Sequence, residues 1–115
     1  MQRPFFDKKY LSREFDKVAS KITKPVTIFI IGGGGLAFYG LKDATKDIDV
    51  ILRNLDEFRI LTKALKDLKY NTPSPHIITK AYREMQANEI LENKDGFRWD
   101  IFIRQVCNAL TSQLQ

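Results

Sequence analysis

Cysteine and histidine are nearly absent: Cys107 and His76 stand alone in a chain of 115 residues. One thiol excludes an internal disulfide and any zinc site built on cysteine pairs, and it points to a reduced, cytoplasmic setting. His76 has no partner at catalytic spacing and reads as an exposed or capping residue, which argues against a metal-dependent phosphohydrolase. No apolar run reaches the ~18 residues of a membrane-crossing helix. Residues 1–10 lack the apolar core of a signal peptide, so no membrane partner is expected. Glycine is sparse too, yet four of its six copies stand together as Gly32 to Gly35. They do not form a P-loop, because no Gly-Lys-Ser/Thr follows. Ala37 breaks the G-x-G-x-x-G dinucleotide spacing as well.

What is present fits one domain over residues 1–115. The length is near the commonest domain size, and 43% apolar residues suffice for a core. Nineteen Lys and Arg against fourteen Asp and Glu leave a formal charge of +5. That balance favours anionic partners such as nucleotides or RNA, although it is also ordinary for a small basic protein. The charges are spread along the chain, with no basic tail.

The chain is organised around residues 27–52. Ile28 to Ile31 is a β-favouring apolar run that reads as a buried strand. The glycines follow, where backbone can approach a ligand closely. Leu36 to Tyr39 fits a short helix that Gly40 ends. A second strand opens at Asp47-Ile48-Asp49-Val50-Ile51-Leu52. Alternation puts Asp47 and Asp49 on one face, about 6.6 Å apart along the strand, and Ile48, Val50 and Leu52 on the other. Two acids on one face repel each other unless a cation lies between them.

Elsewhere the patterns are plainer. Residues 5–23 form an amphipathic helix through Leu11, Phe15, Val18 and Ile22, stopped at Lys24-Pro25. Asn54 and Glu57 make a capping-box-like pair. They open a helix that runs to about Lys69 over Phe58, Leu61, Leu65 and Leu68. A loop over residues 70–75 leads to a helix begun by Ser74-Pro75 that would bury Ile78, Tyr82 and Met85. Asp95-Gly96 marks a hairpin between Glu89–Glu92 and Phe97–Ile103. In its second strand Trp99, Ile101 and Ile103 face one way, and Arg98, Asp100 and Phe102 the other. Aspartate is disfavoured inside an apolar strand, so Asp100 reads as functional. Val106, Leu110 and Leu114 outline a last helix, with Cys107 a small buried or boundary residue.

Gly34-Gly35-Leu36-Ala37, Gly40, Thr45 and Asp47-Ile48-Asp49 together resemble the signature of the DNA polymerase β-type nucleotidyltransferase superfamily. The spacing is most similar to its small prokaryotic members, which include toxins of toxin–antitoxin pairs. The resemblance runs from about Val26 to Ile103. It implies an α/β (α+β) fold: a short mixed sheet of about four strands, helices mainly on one face and acids on the other. It also implies a third carboxylate, for which Asp100 is the candidate.

By the same resemblance Asp47, Asp49 and Asp100 would be both catalytic and metal-binding, holding Mg²⁺ or Mn²⁺. The backbone of Gly33, Gly34 and Gly35, with Thr45 and Lys46, would meet the triphosphate of a nucleotide such as ATP. Thr45 would orient Asp47, while Lys42 and Lys46 read either as phosphate-facing or as solvated loop lysines. The expected activity is transfer of a nucleotide from a nucleoside triphosphate to an RNA or protein hydroxyl. An antitoxin or a second copy of the chain would be a partner. Two departures are visible: Asp43 stands where a basic residue is common, and only residues 101–115 follow Asp100, where relatives carry a further helical domain. The alternative is a catalytically inactive nucleotide- or nucleic-acid-binding module on the same fold.

Overall fold

The two acid-bearing stretches lie side by side at the centre of one sheet. The structure, a computed structural model, describes residues 4–73 and 87–103. Along the chain they form α1 (Lys8–Lys21), β1 (Ile28–Ile31), α2 (Gly32–Phe38), β2 (Asp47–Leu52), α3 (Leu55–Asp67), β3 (Glu89–Glu92) and β4 (Arg98–Ile103). The four strands make a mixed sheet in the order β1-β2-β4-β3. Its outer pairs are antiparallel and its central pair, β2 with β4, is parallel. This is the α+β architecture expected from the sequence. The expected helix from Ser74-Pro75, which includes His76, and the last helix with Cys107 lie outside the described residues.

Alternation decides which face each side chain takes. Ile48, Val50 and Leu52 of β2 are buried with Leu91 of β3 and with Trp99 and Ile101 of β4. The same cluster holds Leu11 and Val18 of α1, Ala37 of α2, and Leu61, Ala64 and Leu65 of α3. All three helices therefore supply the core that covers this face. Each fully buried Val, Leu or Ile contributes about 1.5–3 kcal/mol, which lets the opposite face carry less favourable groups. Among the described residues no helix is long and apolar enough to cross a membrane.

Helix ends follow local chemistry. α1 starts at Lys8, later than its apolar periodicity suggests, because the Asp7 side chain accepts a hydrogen bond from Tyr10 N at 2.9 Å and caps it. The preceding Phe6 instead bridges to Thr45 through two backbone hydrogen bonds of 2.7 and 2.9 Å. α2 differs more. The glycines were expected to form a turn before the helix, yet Gly32 to Gly35 are themselves its first turn. Glycine is a poor helix former, by about 1 kcal/mol relative to alanine, so packing against the sheet compensates here. The hairpin turns as its Asp-Gly signal requires, with Gly96 at φ +86°.

Glu57 ties the second half of the fold to the first. Its backbone N–H donates to the Asn54 cap at 2.8 Å. Its carboxylate accepts from Arg53 at 2.9 and 3.0 Å and from the backbone N–H of Thr27, just before β1, at 2.8 Å. The Arg53 hydrogen bonds hold the Glu57 carboxyl below its ordinary 4.5, and the Thr27 N–H adds to this. A lowered carboxylate stabilises the fold above its unfolded pKa and stops doing so as pH falls through the folded one. Glu57→Gln is expected to cost about 1–3 kcal/mol at pH 7. The difference from the parent should shrink below pH 4.5, as read by urea denaturation across pH.

Candidate functional site

On the face away from the helices, the register sets three rows of side chains across the strands. The middle row is Ile31, Asp49, Asp100 and Ile90, one residue from each strand in sheet order. One step along lies an apolar row of Phe29, Ile51 and Phe102. On the other side Asp47 stands beside Arg98, which stands beside Glu92. Arg98 Nε donates to Glu92 Oε2 at 2.9 Å. Parallel register thus places Asp49 directly beside Asp100, with Asp47 one pair further along.

This face is less open than a solvated sheet surface. Asp100 is 1% exposed, and Arg98 and Phe102 are buried with it. Asp49 is half-buried, and its Oδ1 is buried without a hydrogen-bond partner. Burial raises the Asp49 carboxyl above its ordinary 3.8, and the charge of Asp47 raises it further. A hydrogen bond shared with the Asp100 carboxyl acts in the opposite direction. Two carboxyl groups in hydrogen-bond contact need either a shared proton or a cation between them. An orphaned oxygen, a desolvated acid pair and hard oxygen donors are what a divalent cation satisfies. The residues present therefore fit such an ion, with Asp49 and Asp100 as the pair. Among the described residues no three His, Cys, Asp or Glu side chains gather into one ready ligand group, so Asp47 is a neighbour of the pair in this geometry.

The glycine run divides by what each residue faces. Gly34 and Gly35 are buried. A Cβ at Gly34 would lie 2.8 Å from Ile48 Cγ2 and 2.9 Å from Ile48 Cα, and one at Gly35 would lie 3.1 Å from the Ile30 carbonyl oxygen. These two glycines let α2 sit on the sheet. Gly32 faces Asp49 and Gly33 faces the loop before β2 instead. A Cβ at Gly32 would be 3.5 Å from Asp49 Oδ2, and its φ of +67° suits glycine. A Cβ at Gly33 would be 3.0 Å from Lys42 Nζ and 3.9 Å from Thr45 Oγ1. The first turn of α2 has no side-chain cap on its N–H groups.

The loop residues take unequal places. The Thr45 hydroxyl donates to the main-chain carbonyl of Asp47 at 2.9 Å, so it braces the backbone of Asp47. The Lys46 ammonium lies 5.1 Å from the centroid of the Phe5 ring. Lys42 is the lysine beside the turn, one residue before the acidic departure at Asp43. A cavity of about 470 Å³ lies elsewhere, lined by Lys17, Lys21, Lys69 and Lys94 among others and by none of the three aspartates. Lys21 and Lys69 there stand at the C-terminal ends of α1 and α3, where a cation offsets the helix dipole.

Gly34→Ala should cost about 1–3 kcal/mol, because the contacted atom is Ile48 backbone and cannot yield. Gly33→Ala should be neutral or stabilising by up to about 1 kcal/mol, since only a flexible lysine end must move. Chemical denaturation of the two variants measures the contrast. For Asp49, a folded pKa raised above the unfolded value means that the charged form weighs on the fold at neutral pH and not below 3.8. Metal-free Asp49→Asn should therefore melt above the parent at pH 7, and the difference should close as pH falls towards 3.8.

The chain matches no family model, no curated protein and no solved structure.

Proposed function

We propose that the protein is a metal-dependent nucleotidyltransferase, similar to the small members of the DNA polymerase β-type superfamily. It would move a nucleotide from a nucleoside triphosphate to an RNA or protein hydroxyl, as the toxin of a toxin–antitoxin pair would. The observation that carries this reading is the desolvated pair of Asp49 and Asp100, set side by side by parallel strands next to a glycine turn. An idle acid pair in an apolar row is a stability liability, and a ligand that neutralises it removes the liability.

In this reading Asp49 and Asp100 hold Mg²⁺ or Mn²⁺, which needs few carboxylates when substrate phosphates complete its shell. Such an ion supplies Lewis-acid polarisation of the α-phosphate and eases ionisation of the attacking hydroxyl. Asp47, two residues before Asp49 on the same face of β2 and braced at its backbone by Thr45, would add a third carboxylate beside the pair. The acceptor oxygen bonds to the α-phosphorus, its proton passes to the carboxylate pair, and the bond to pyrophosphate breaks. Ile31 and Ile90 within the row, and Phe29, Ile51 and Phe102 beside it, lower the local dielectric and strengthen the electrostatics of the pair. The burial of Asp100 favours a second reading, a catalytically inactive nucleotide- or nucleic-acid-binding module on the same fold.

Transfer from α-labelled ATP, CTP, GTP and UTP decides between them, with Mg²⁺ or Mn²⁺, total RNA and cell extract present. Label on RNA or protein that falls at least about 100-fold in Asp47→Ala/Asp49→Ala is the expected result. No transfer, with nucleotide binding equal in the parent and the double variant, would leave the binding module. Mn²⁺ should also raise the melting midpoint of the parent, because an ion bound only by the folded state stabilises it. That increase should be absent in Asp49→Asn.

A further inference from the structure

The cavity of about 470 Å³ at the ends of α1 and α3 does not stop at the hairpin turn. A second, of about 460 Å³, shares Lys69, Asn93 and Lys94 with it and runs on past Asn71 to Glu92. Together they form one groove around the turn. Its acids are engaged elsewhere: Glu14 with Lys17 at 2.8 Å, Asp67 with Lys63 at 3.4 Å and Glu92 with Arg98 at 2.9 Å. Asp95 accepts from the Tyr10 hydroxyl at 2.7 Å. Among the described residues Lys21, Lys69 and Lys94 pair with no acid. Three ammonium groups from three separate elements thus face the groove without a counter-charge.

Helix ends do not account for all of them. Lys21 serves α1, and α3 already has Lys66 in its last turn. Lys69 comes just after α3 at φ +73°, and among the described residues it is the one non-glycine residue in the left-handed region. Its N–H and that of Tyr70 close the helix onto the carbonyls of Lys66 and Leu65. Glycine fills that capping position with least strain. A lysine there stabilises the fold less than glycine would, which points to a use for its side chain.

The lining selects a polyanion. Leu68 and Pro73 are its apolar members among the described residues, so a peptide would find few pockets for anchoring side chains. No aromatic ring among them lines the groove to stack a base. A phosphodiester backbone needs neither, only spaced cations. The Glu92 end is also near the acids. Glu92 stands beside Arg98, and Arg98 beside Asp47. At about 4.8 Å per strand, Glu92 and Asp47 are roughly 10 Å apart, a gap that about three nucleotides span at a stacked rise of ~3.4 Å.

We propose that this groove binds the phosphodiester backbone of an RNA strand through Lys21, Lys69 and Lys94 and leads its end to the aspartates. The inference rests on the nucleotidyltransferase reading, within which it makes RNA the acceptor. The contacts are to phosphate alone, so binding carries no base preference.

Fluorescence anisotropy of a labelled single-stranded RNA of about 12 nucleotides, titrated across salt without metal, tests this beside polyglutamate of similar charge. Parent, Lys21→Gln, Lys69→Gly, Lys94→Gln and Asp49→Asn are compared, with urea denaturation of each. Log affinity should fall with log salt at a slope of about −2, from three phosphates at ~0.7 each. Each lysine variant should lower that slope by about 0.7 and the affinity by several-fold. Lys69→Gly should do so while raising the urea midpoint, a split that a purely structural lysine would not give. Asp49→Asn should bind RNA as the parent does and lose nucleotide transfer. No RNA binding by the parent, binding that no lysine variant weakens, or an affinity for polyglutamate equal to that for RNA would overturn this inference and leave the nucleotidyltransferase reading standing with a protein acceptor. Lysine-dependent RNA binding by a parent that transfers no label would overturn that reading and the acceptor role with it.

Discussion

The parallel register of β2 and β4 is the constraint on which the rest depends. It sets Asp49 against Asp100 in the middle of the sheet, with apolar residues on both sides of the pair. Like charges directly opposite destabilise a sheet, and burial makes each charge harder to keep. The arrangement persists because the other face of the same strands is occupied by Ile48, Val50, Leu52, Trp99 and Ile101 under three helices. A strand cannot slip by one residue to relieve the acids without turning that whole apolar set outward. The core therefore holds the acid pair in place.

The glycine run shows the same coupling between packing and site. Two glycines bring α2 down onto β1 and β2, Gly32 lies against Asp49, and Gly33 lies beside the Lys42 side chain. A more helix-favouring sequence would stabilise α2 locally and would lift it off Ile48. The turn is thus a compromise between helix propensity, close packing and room at the acids, and glycine is the residue that meets all three.

The periphery is fastened by polar ties that reach across the chain. Glu57 joins the start of β1 to the start of α3. Tyr70, whose hydroxyl is pushed to higher pKa by burial, donates to the buried Glu14 of α1 at 2.7 Å. Asn93, in the hairpin turn, donates to Tyr10 at 2.7 Å. These contacts fix both ends of the segment from β2 to β4. Rigid support of this kind holds paired side chains to a single geometry.

The sequence located the four strands, the faces of β2 and the stripes of α1 and α3, because period-2 and period-3.6 patterns are local properties. It read Ile28–Ile31 as a buried strand, whereas β1 is an edge strand with Ile31 exposed, since a short apolar run does not tell an edge from a centre. It also singled out Asp47, Asp49 and Asp100, since acids in apolar strands are conspicuous at any register. The onset of α1 was legible in the capping residue Asp7 but was masked by the apolar periodicity that begins before it. Tertiary structure alone decided that Asp49 is the aspartate paired with Asp100, because strand pairing joins residues that are far apart in the chain. It alone separated the packing glycines Gly34 and Gly35 from Gly32 beside Asp49, and it set Lys46 near Phe5 and Lys42 against Gly33. Spacing along the chain carries no information on which of two loop lysines a neighbouring ring will capture.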